Sequence, residues 1–338
     1  MRKNILVSTT NGWNPGDDFI REGSLSLIKN KYNHNYLYWN RSPDSKKMFM
    51  NNLPNNMSLM DYFLVAGSPE WLNNNELVYN YCVKNNIKMT LIGIGLAQSD
   101  RLRSIILQSK KLIDTVICRD QSSYNYLKSM NIDAKILPCP ASLSGKNIKR
   151  NKIKNISIGF MSINTKNTWS QDKKIFSKEY NKNFLKIVDY LKNKNYNINI
   201  ICHYPADVVE AKTLFNNIDI YYSHNYRDYY KWYEESDIYI GSRVHGAILS
   251  LGYSSPAFLI GIDNRSEALK TYNDFFSDIE IKHIMGNDTT LFDKIKNWFE
   301  MTEKNYIDIN NKIINNMNRL RDIYELEVKK MNNYINYK

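Results

Sequence analysis

Apolar positions along the chain fall in short runs that alternate with amphipathic, helix-spaced stretches. Ile5–Thr9, Tyr62–Ala66, Met89–Ile94, Thr115–Cys118 and Ala134–Leu137 are brief and almost wholly apolar. Runs of that kind predict strands buried on both faces. Between them lie four stretches with helical character: 17–31, 76–85, 101–113 and 121–130. The first is entered through Asn14-Pro15-Gly16. Strand and helix in regular alternation predict a parallel sheet covered by helices on both sides.

The pattern stops at 144–154, a basic and turn-rich stretch that reads as a solvated interdomain connector. It then begins again. Strands are expected at 156–161, 198–202, 218–222, 238–240 and 257–260, and helices at 182–192, 206–215, 227–235 and 247–251. A long helical region follows from Leu291. Its apolar residues Ile313, Met317, Leu320, Tyr324 and Val328 recur at steps of three and four and define one sticky face. Packing back on the domains satisfies that face more economically than a coiled coil. The expectation is an α/β protein of two Rossmann-like domains facing a cleft: 1–145 on the acceptor side, 154–288 on the donor side, and a helical segment 289–338. No internal sequence repeat supports the division, which rests on pattern alone.

Composition narrows the class. The 338 residues leave room for two cores, and 43% hydrophobic content is that of a globular chain. The longest apolar runs are far too short to span a bilayer. The basic start, Met1 to Ser8, lacks an apolar stretch long enough for a signal peptide. A reducing, cytoplasmic setting is therefore expected, with peripheral contact at an anionic membrane as an added option. Cys82, Cys118, Cys139 and Cys202 include no C-x-x-C pair, so neither a zinc site nor a thioredoxin-like site is suggested, and no metal is expected. The net charge of +12 points to an anionic partner. Its lysines come within a general bias toward Asn, Lys, Ile and Tyr, and no nucleic-acid-binding signature accompanies them. A small anion is thus a better partner than a nucleic acid.

The densest candidate chemistry is Gly241-Ser242-Arg243-Val244-His245-Gly246. It follows one apolar run and opens another, as expected of a strand end, a tight turn and a helix start. Helix starts favour anions, and ligands of open α/β sheets sit at strand ends. Arg243 offers a bidentate fork for phosphate or carboxylate, and His245 can donate or accept a proton near neutral pH. Alternate residues of an extended turn would face one ligand together.

Arg119-Asp120 occupies a similar place after the strand at 115–118, with Asp120 equally suited to capping the next helix. In Asn14-Pro15-Gly16-Asp17-Asp18, two aspartates suit a polyol or a general base, although Asp17 also suits a helix cap. His203 follows another strand, with Asp207 placed to cap the helix after it. Gly67-Ser68 and Gly93-Ile94-Gly95 are turn glycines too generic to name a nucleotide.

Taken in order, these elements resemble the polysaccharide pyruvyl transferase family. The resemblance is carried by Asn14-Pro15-Gly16-Asp17, the strand and small-residue loop from Tyr62 to Trp71, Gly93-Ile94-Gly95, Arg119-Asp120-Gln121-Ser122-Ser123 and the hallmark Ser242-Arg243-Val244-His245. Pro256 and Asp263-Asn264-Arg265 follow. It implies a GT-B-like fold and transfer of pyruvate from phosphoenolpyruvate to two sugar hydroxyls, forming a cyclic ketal, with no other cofactor. The acceptor would be a cell-surface polysaccharide, its precursor or a lipid-linked glycan.

The resemblance implies donor binding by Arg119, Arg243 and His245; Val244 and Gly246 at the same helix start are expected to join them, and His245 and Asp17 are the expected catalytic residues. Asn14, Asp18 and His203 are, from their own placement at strand ends, the expected acceptor contacts. Two departures stand out. Cys139-Pro140 replaces the family's common Asp-Pro, and Arg265 replaces a lysine. A nucleotide-sugar glycosyltransferase and a non-catalytic basic binding protein are the alternatives.

Overall fold

The structure, a computed structural model, describes residues 2–9, 14–40, 53–67, 75–95, 100–162, 178–262 and 264–336. Residues 68–71 and 263, named above in the family pattern, lie outside the described residues. The chain forms two compact units, Met1–Ser144 with Leu320–Lys338 and Gly145–Arg319. Each is built on a six-stranded, all-parallel sheet with flanking helices.

In the first unit the strands are β1 (Asn4–Thr9), β2 (Asn35–Asn40), β3 (Tyr62–Ala66), β4 (Lys88–Ile94), β5 (Ile113–Cys118) and β6 (Lys135–Ile136), in the order β2-β1-β3-β4-β5-β6. The chain moves one way from β1 to β2 and the other way to β3, so the switch point lies between β1 and β3. β3 is buried along its whole length, as a central strand covered on both faces must be. Leu6, Phe63, Val65, Met89, Leu91 and Val116 join one core cluster on this sheet.

The second unit carries β7 (Asn155–Gly159), β8 (Asn197–Ile201), β9 (Asp219–Tyr221), β10 (Ile238–Gly241), β11 (Ala257–Gly261) and β12 (Ile281–Met285). Their order, β12-β11-β10-β7-β8-β9, is the dinucleotide-fold order of two mononucleotide halves around a central first strand. Its switch point lies between β7 and β10. Ile156, Ile158, Ile200, Ile238, Ile240, Phe258 and Ile260 build the core against the helices Lys178–Asn193 and Leu291–Lys304.

Four differences from the expected elements stand out. The first helix ends at Leu25 rather than Lys31, where Ser26 turns its hydroxyl back onto the Gly23 carbonyl at 2.7 Å. β2 and β12 are edge strands, half exposed and lacking a continuous apolar run, so neither was predicted. The helix Leu53–Leu59 was not predicted either. Finally, the segment before β7 is not a free connector. Arg150 pairs with Asp237 at 3.0 Å with both side chains nearly buried, and Asp237 also accepts the N–H groups of Lys154 and Asn155.

The C-terminal apolar face is buried at all five expected positions, Ile313, Met317, Leu320, Tyr324 and Val328. The helix Tyr306–Glu327 begins in the second unit and ends in the first. Within the first unit the terminal helix Lys329–Asn336 is held by Asn332, which accepts the Lys29 N–H and donates to the Leu27 carbonyl, each at 3.0 Å. Among the described residues no helix is long and apolar enough to cross a membrane.

Candidate functional site

In the second unit, β10 ends at Gly241 and the helix Val244–Gly252 begins three residues later. The turn sits beside the switch point between β7 and β10. Ser242 donates its N–H to the Gly159 carbonyl of β7 at 2.8 Å, and its hydroxyl accepts from the buried Tyr180 phenol at 2.7 Å. Arg243 is the N-cap residue, with extended backbone (φ −89°, ψ 107°). Val244 and His245 are the first two helical residues and are half-buried. The extended turn on which Arg243 and His245 were expected to project alike therefore ends at Arg243.

Two groups hold Arg243, one by its backbone and one by its side chain. The Tyr239 hydroxyl, buried in β10, accepts the Arg243 N–H at 3.2 Å and donates to the Arg243 carbonyl at 3.1 Å. Glycines make the space. A Cβ on Gly159 would fall 1.8 Å from the Tyr239 oxygen, and one on Gly246 would fall 2.6 Å from the oxygens of both Tyr233 and Tyr239.

The Arg243 guanidinium donates through Nη2 to Asp207 Oδ2 and lies 4.8 Å from the centre of the Tyr204 ring. Burial works against its charge, and Asp207 more than offsets this, so its pKa is raised further. The Nε–H is buried and has no acceptor among the described residues. An orphaned charged donor of this kind is costly unless a ligand or water completes it.

Asp207 has no exposed surface. Besides Arg243 it accepts the N–H groups of Ser162, His203 and Tyr204 at 2.8, 3.2 and 3.1 Å. Its capping role at the helix Pro205–Leu214 was foreseen from the sequence, but its grip on Arg243 was not. No local signal could have joined them, because the partners are 36 residues apart.

His203 lies beneath this group. Its Nε2 is 3.0 Å from the Tyr233 hydroxyl, and its ring meets Tyr229 edge-on at 5.0 Å. Burial, reinforced by the charges of Arg243 and His245, holds its pKa well below the ordinary histidine value. His203 is thus a buried, neutral support of the site.

In the first unit a second group of expected residues comes together at the strand ends. Asn14 caps the helix Pro15–Leu25, accepting the Gly16 N–H at 3.1 Å and donating to Asp17 at 3.3 Å. Asp17 and Asp18 are both buried. Asp18 forms a 2.7 Å ion pair through Oδ1 with the equally buried Arg21.

Arg119 follows β5 and donates its N–H to the Ile94 carbonyl at 3.0 Å. Its guanidinium lies so close to Gly95 that a Cβ there would fall 2.6 Å from Nε. Arg119 also hydrogen-bonds the fully buried Cys139 thiol. Burial raises that thiol's pKa, the charge of Arg119 opposes the rise and Asp17 adds to it. Arg119, Asp17 and Cys139 are therefore neighbours, and the thiol stands where an aspartate was expected from the family resemblance. Asp120 caps the helix Gln121–Lys128 by accepting the Ser123 N–H at 2.7 Å.

Solved structures of similar fold include MnaA of S. aureus in a co-structure with UDP. Its TM-score is 0.58 at 11% identity, covering 100% of this chain and 99% of that one. The UDP-GlcNAc 2-epimerase of Neisseria meningitidis bound to UDP-GlcNAc gives 0.58 at 12% identity, with 98% and 100% covered. MurG of Acinetobacter baumannii gives 0.50 at 12% identity, with 96% and 99% covered. At such identities the likeness shows the fold alone: two Rossmann-like domains of GT-B type with C-terminal helices. Among curated proteins no sequence matches the chain significantly. The family model described as polysaccharide pyruvyl transferase matches residues 14–264, which take in the Asn14 cap, the Arg119 group and the Arg243 turn. The chain belongs to the polysaccharide pyruvyl transferase family.

Proposed function

We propose that this protein transfers pyruvate from phosphoenolpyruvate to two hydroxyls of a sugar in a surface polysaccharide or its precursor, forming a cyclic ketal. The observation that carries this reading is Arg243. It is a clamped, nearly buried arginine with an unfilled Nε–H, at a helix start that also bears His245. Phosphoenolpyruvate presents a phosphate and a carboxylate, the anions that a guanidinium fork and a helix start bind best.

The chemistry balances without a redox partner. A proton delivered to the methylene carbon makes the central carbon electrophilic. One sugar oxygen bonds to that carbon, the carbon–oxygen bond to phosphate breaks, and the second sugar oxygen takes its place. Of the two hydroxyl protons, one is accounted for in the new methyl group and the other leaves with phosphate. His245 is assigned the proton transfers. The family pattern assigns Arg119 to the donor, and a buried carboxylate at a helix start suits Asp17 to an acceptor hydroxyl. No cofactor enters this scheme, and we assign the reaction to the cytoplasm, the setting expected from the sequence.

The test is phosphate release from phosphoenolpyruvate, measured with candidate glycan acceptors. Acceptor-dependent release, sharply reduced in Arg243→Ala and His245→Ala, supports the reading. A folded protein that shows no calorimetric binding of phosphoenolpyruvate sinks it. The structural relatives hold UDP and UDP-GlcNAc, so UDP is the control ligand. Thermal stabilisation by UDP alone would favour a nucleotide-sugar transferase instead.

A further inference from the structure

We infer that Asp207 is the positioning residue of the anion site, and that it makes the site select by orientation rather than by charge. The inference rests on the proposed role of Arg243. Asp207 is a single buried carboxylate at which three loops meet. Ser162 follows β7, His203 and Tyr204 follow β8, and Arg243 follows β10. β7 and β10 flank the switch point and β8 lies beside β7, so one group sets the mutual positions of all three loop ends.

It also neutralises the arginine. Asp207 binds one terminal nitrogen of the guanidinium, the Tyr204 ring lies near it, and the buried Nε–H has no acceptor among the described residues. A fork held this way presents one fixed direction to a ligand while its net attraction for any passing anion is muted. A free, half-buried arginine would do the reverse, attracting inorganic phosphate strongly and orienting it poorly.

Asp207→Asn keeps the size and one acceptor oxygen while removing the charge. In that variant kcat should fall about 100-fold, the scale of a misplaced reacting group. Inhibition by inorganic phosphate should stay as strong as in the wild type or become stronger. In an Arg243→Ala background the same change should alter the remaining activity by less than about 2-fold, because a residue acting through Arg243 has nothing left to act on. A merely structural residue would instead weaken both backgrounds alike.

Asp207→Ser, which retains a capping oxygen but cannot pair with the guanidinium, serves if the Asp207→Asn protein does not fold. Equal kcat in a folded variant, or an additive loss in the double variant, overturns the inference.

A second readout does not depend on the reaction. In protein carrying 15N-arginine, the Arg243 guanidinium N–H donated to Asp207, assigned by its absence in Arg243→Lys, should exchange slowly in the wild type and rapidly in Asp207→Asn. Slow exchange in both overturns the positioning role even if phosphoenolpyruvate proves not to be the ligand. Slow exchange becoming rapid, in a protein that binds no phosphoenolpyruvate, overturns only the functional reading.

Discussion

Replacing Tyr239 with phenylalanine removes one oxygen atom and tests how the helix start bearing Arg243 is held. The oxygen makes two hydrogen bonds of unequal consequence. It donates to the Arg243 carbonyl at 3.1 Å, but that carbonyl also accepts from the Gly246 and Ala247 N–H groups at 2.9 and 3.1 Å, so it stays satisfied. It accepts the Arg243 N–H at 3.2 Å, and among the described residues that N–H has no other acceptor. The loss therefore falls on one donor, which is left without a partner beside a buried ring. Such a group costs about 1–3 kcal/mol, whereas a bond whose partners find replacements costs far less.

The cost should be local. Because the chain has two compact units, a single global unfolding energy is a poor measure, and hydrogen exchange by mass spectrometry over residues 238–247 is the better assay. An opening energy lower by about 1–3 kcal/mol accelerates exchange there by roughly 5- to 150-fold. Affinity for phosphoenolpyruvate should fall with it, since the helix start and Arg243 loosen together. Unchanged exchange in the Tyr239→Phe variant would show that the backbone at Arg243 is held by something other than the phenol. The reasoning about the turn would then fail.

Two further outcomes are expected. Gly159→Ala should be among the most damaging single-methyl changes in the second unit, because its Cβ would lie 1.8 Å from the Tyr239 oxygen and 2.4 Å from Cζ. Overpacking of this kind costs about 1–3 kcal/mol or more, read as a lowered melting temperature together with loss of phosphoenolpyruvate binding, and a neutral result would count against the packing described. His203 should make the fold acid-sensitive. Its folded-state pKa is depressed, chiefly by burial, so the unfolded chain binds the extra proton. Its contribution to stability is complete above the unfolded value of about 6.5 and declines as the pH falls toward the depressed folded value, by up to about 1.4 kcal/mol per pH unit. Melts between pH 7.5 and 5 should show this slope in the wild type and a shallower one in His203→Gln, and identical slopes would refute it.

How much of this could be read from the sequence depended on whether the cause was local. Ile238-Tyr239-Ile240 and Phe63-Leu64-Val65 announce central strands because burial on both faces demands unbroken apolar runs. The strands at 35–40 and 281–285 escaped because an edge strand keeps one side in water, and there tyrosines and lysine interrupt the run. Arg243 and His245 were legible because a strand end, a glycine turn and a helix start are all written within six residues. Asp207 could be recognised as a cap for the same reason. Its hold on Arg243 could not, because that contact exists only once β8 and β10 lie on either side of β7. Tyr239 was hidden in a different way, as one more apolar residue of a strand whose hydroxyl acquires a role only through two glycines, Gly159 and Gly246, that leave it room. The residues with candidate chemistry were thus written locally, while the groups that aim them are products of the sheet order. The aiming groups, Asp207 and Tyr239, are where the fold itself does most to decide whether Arg243 can act on an anion at all.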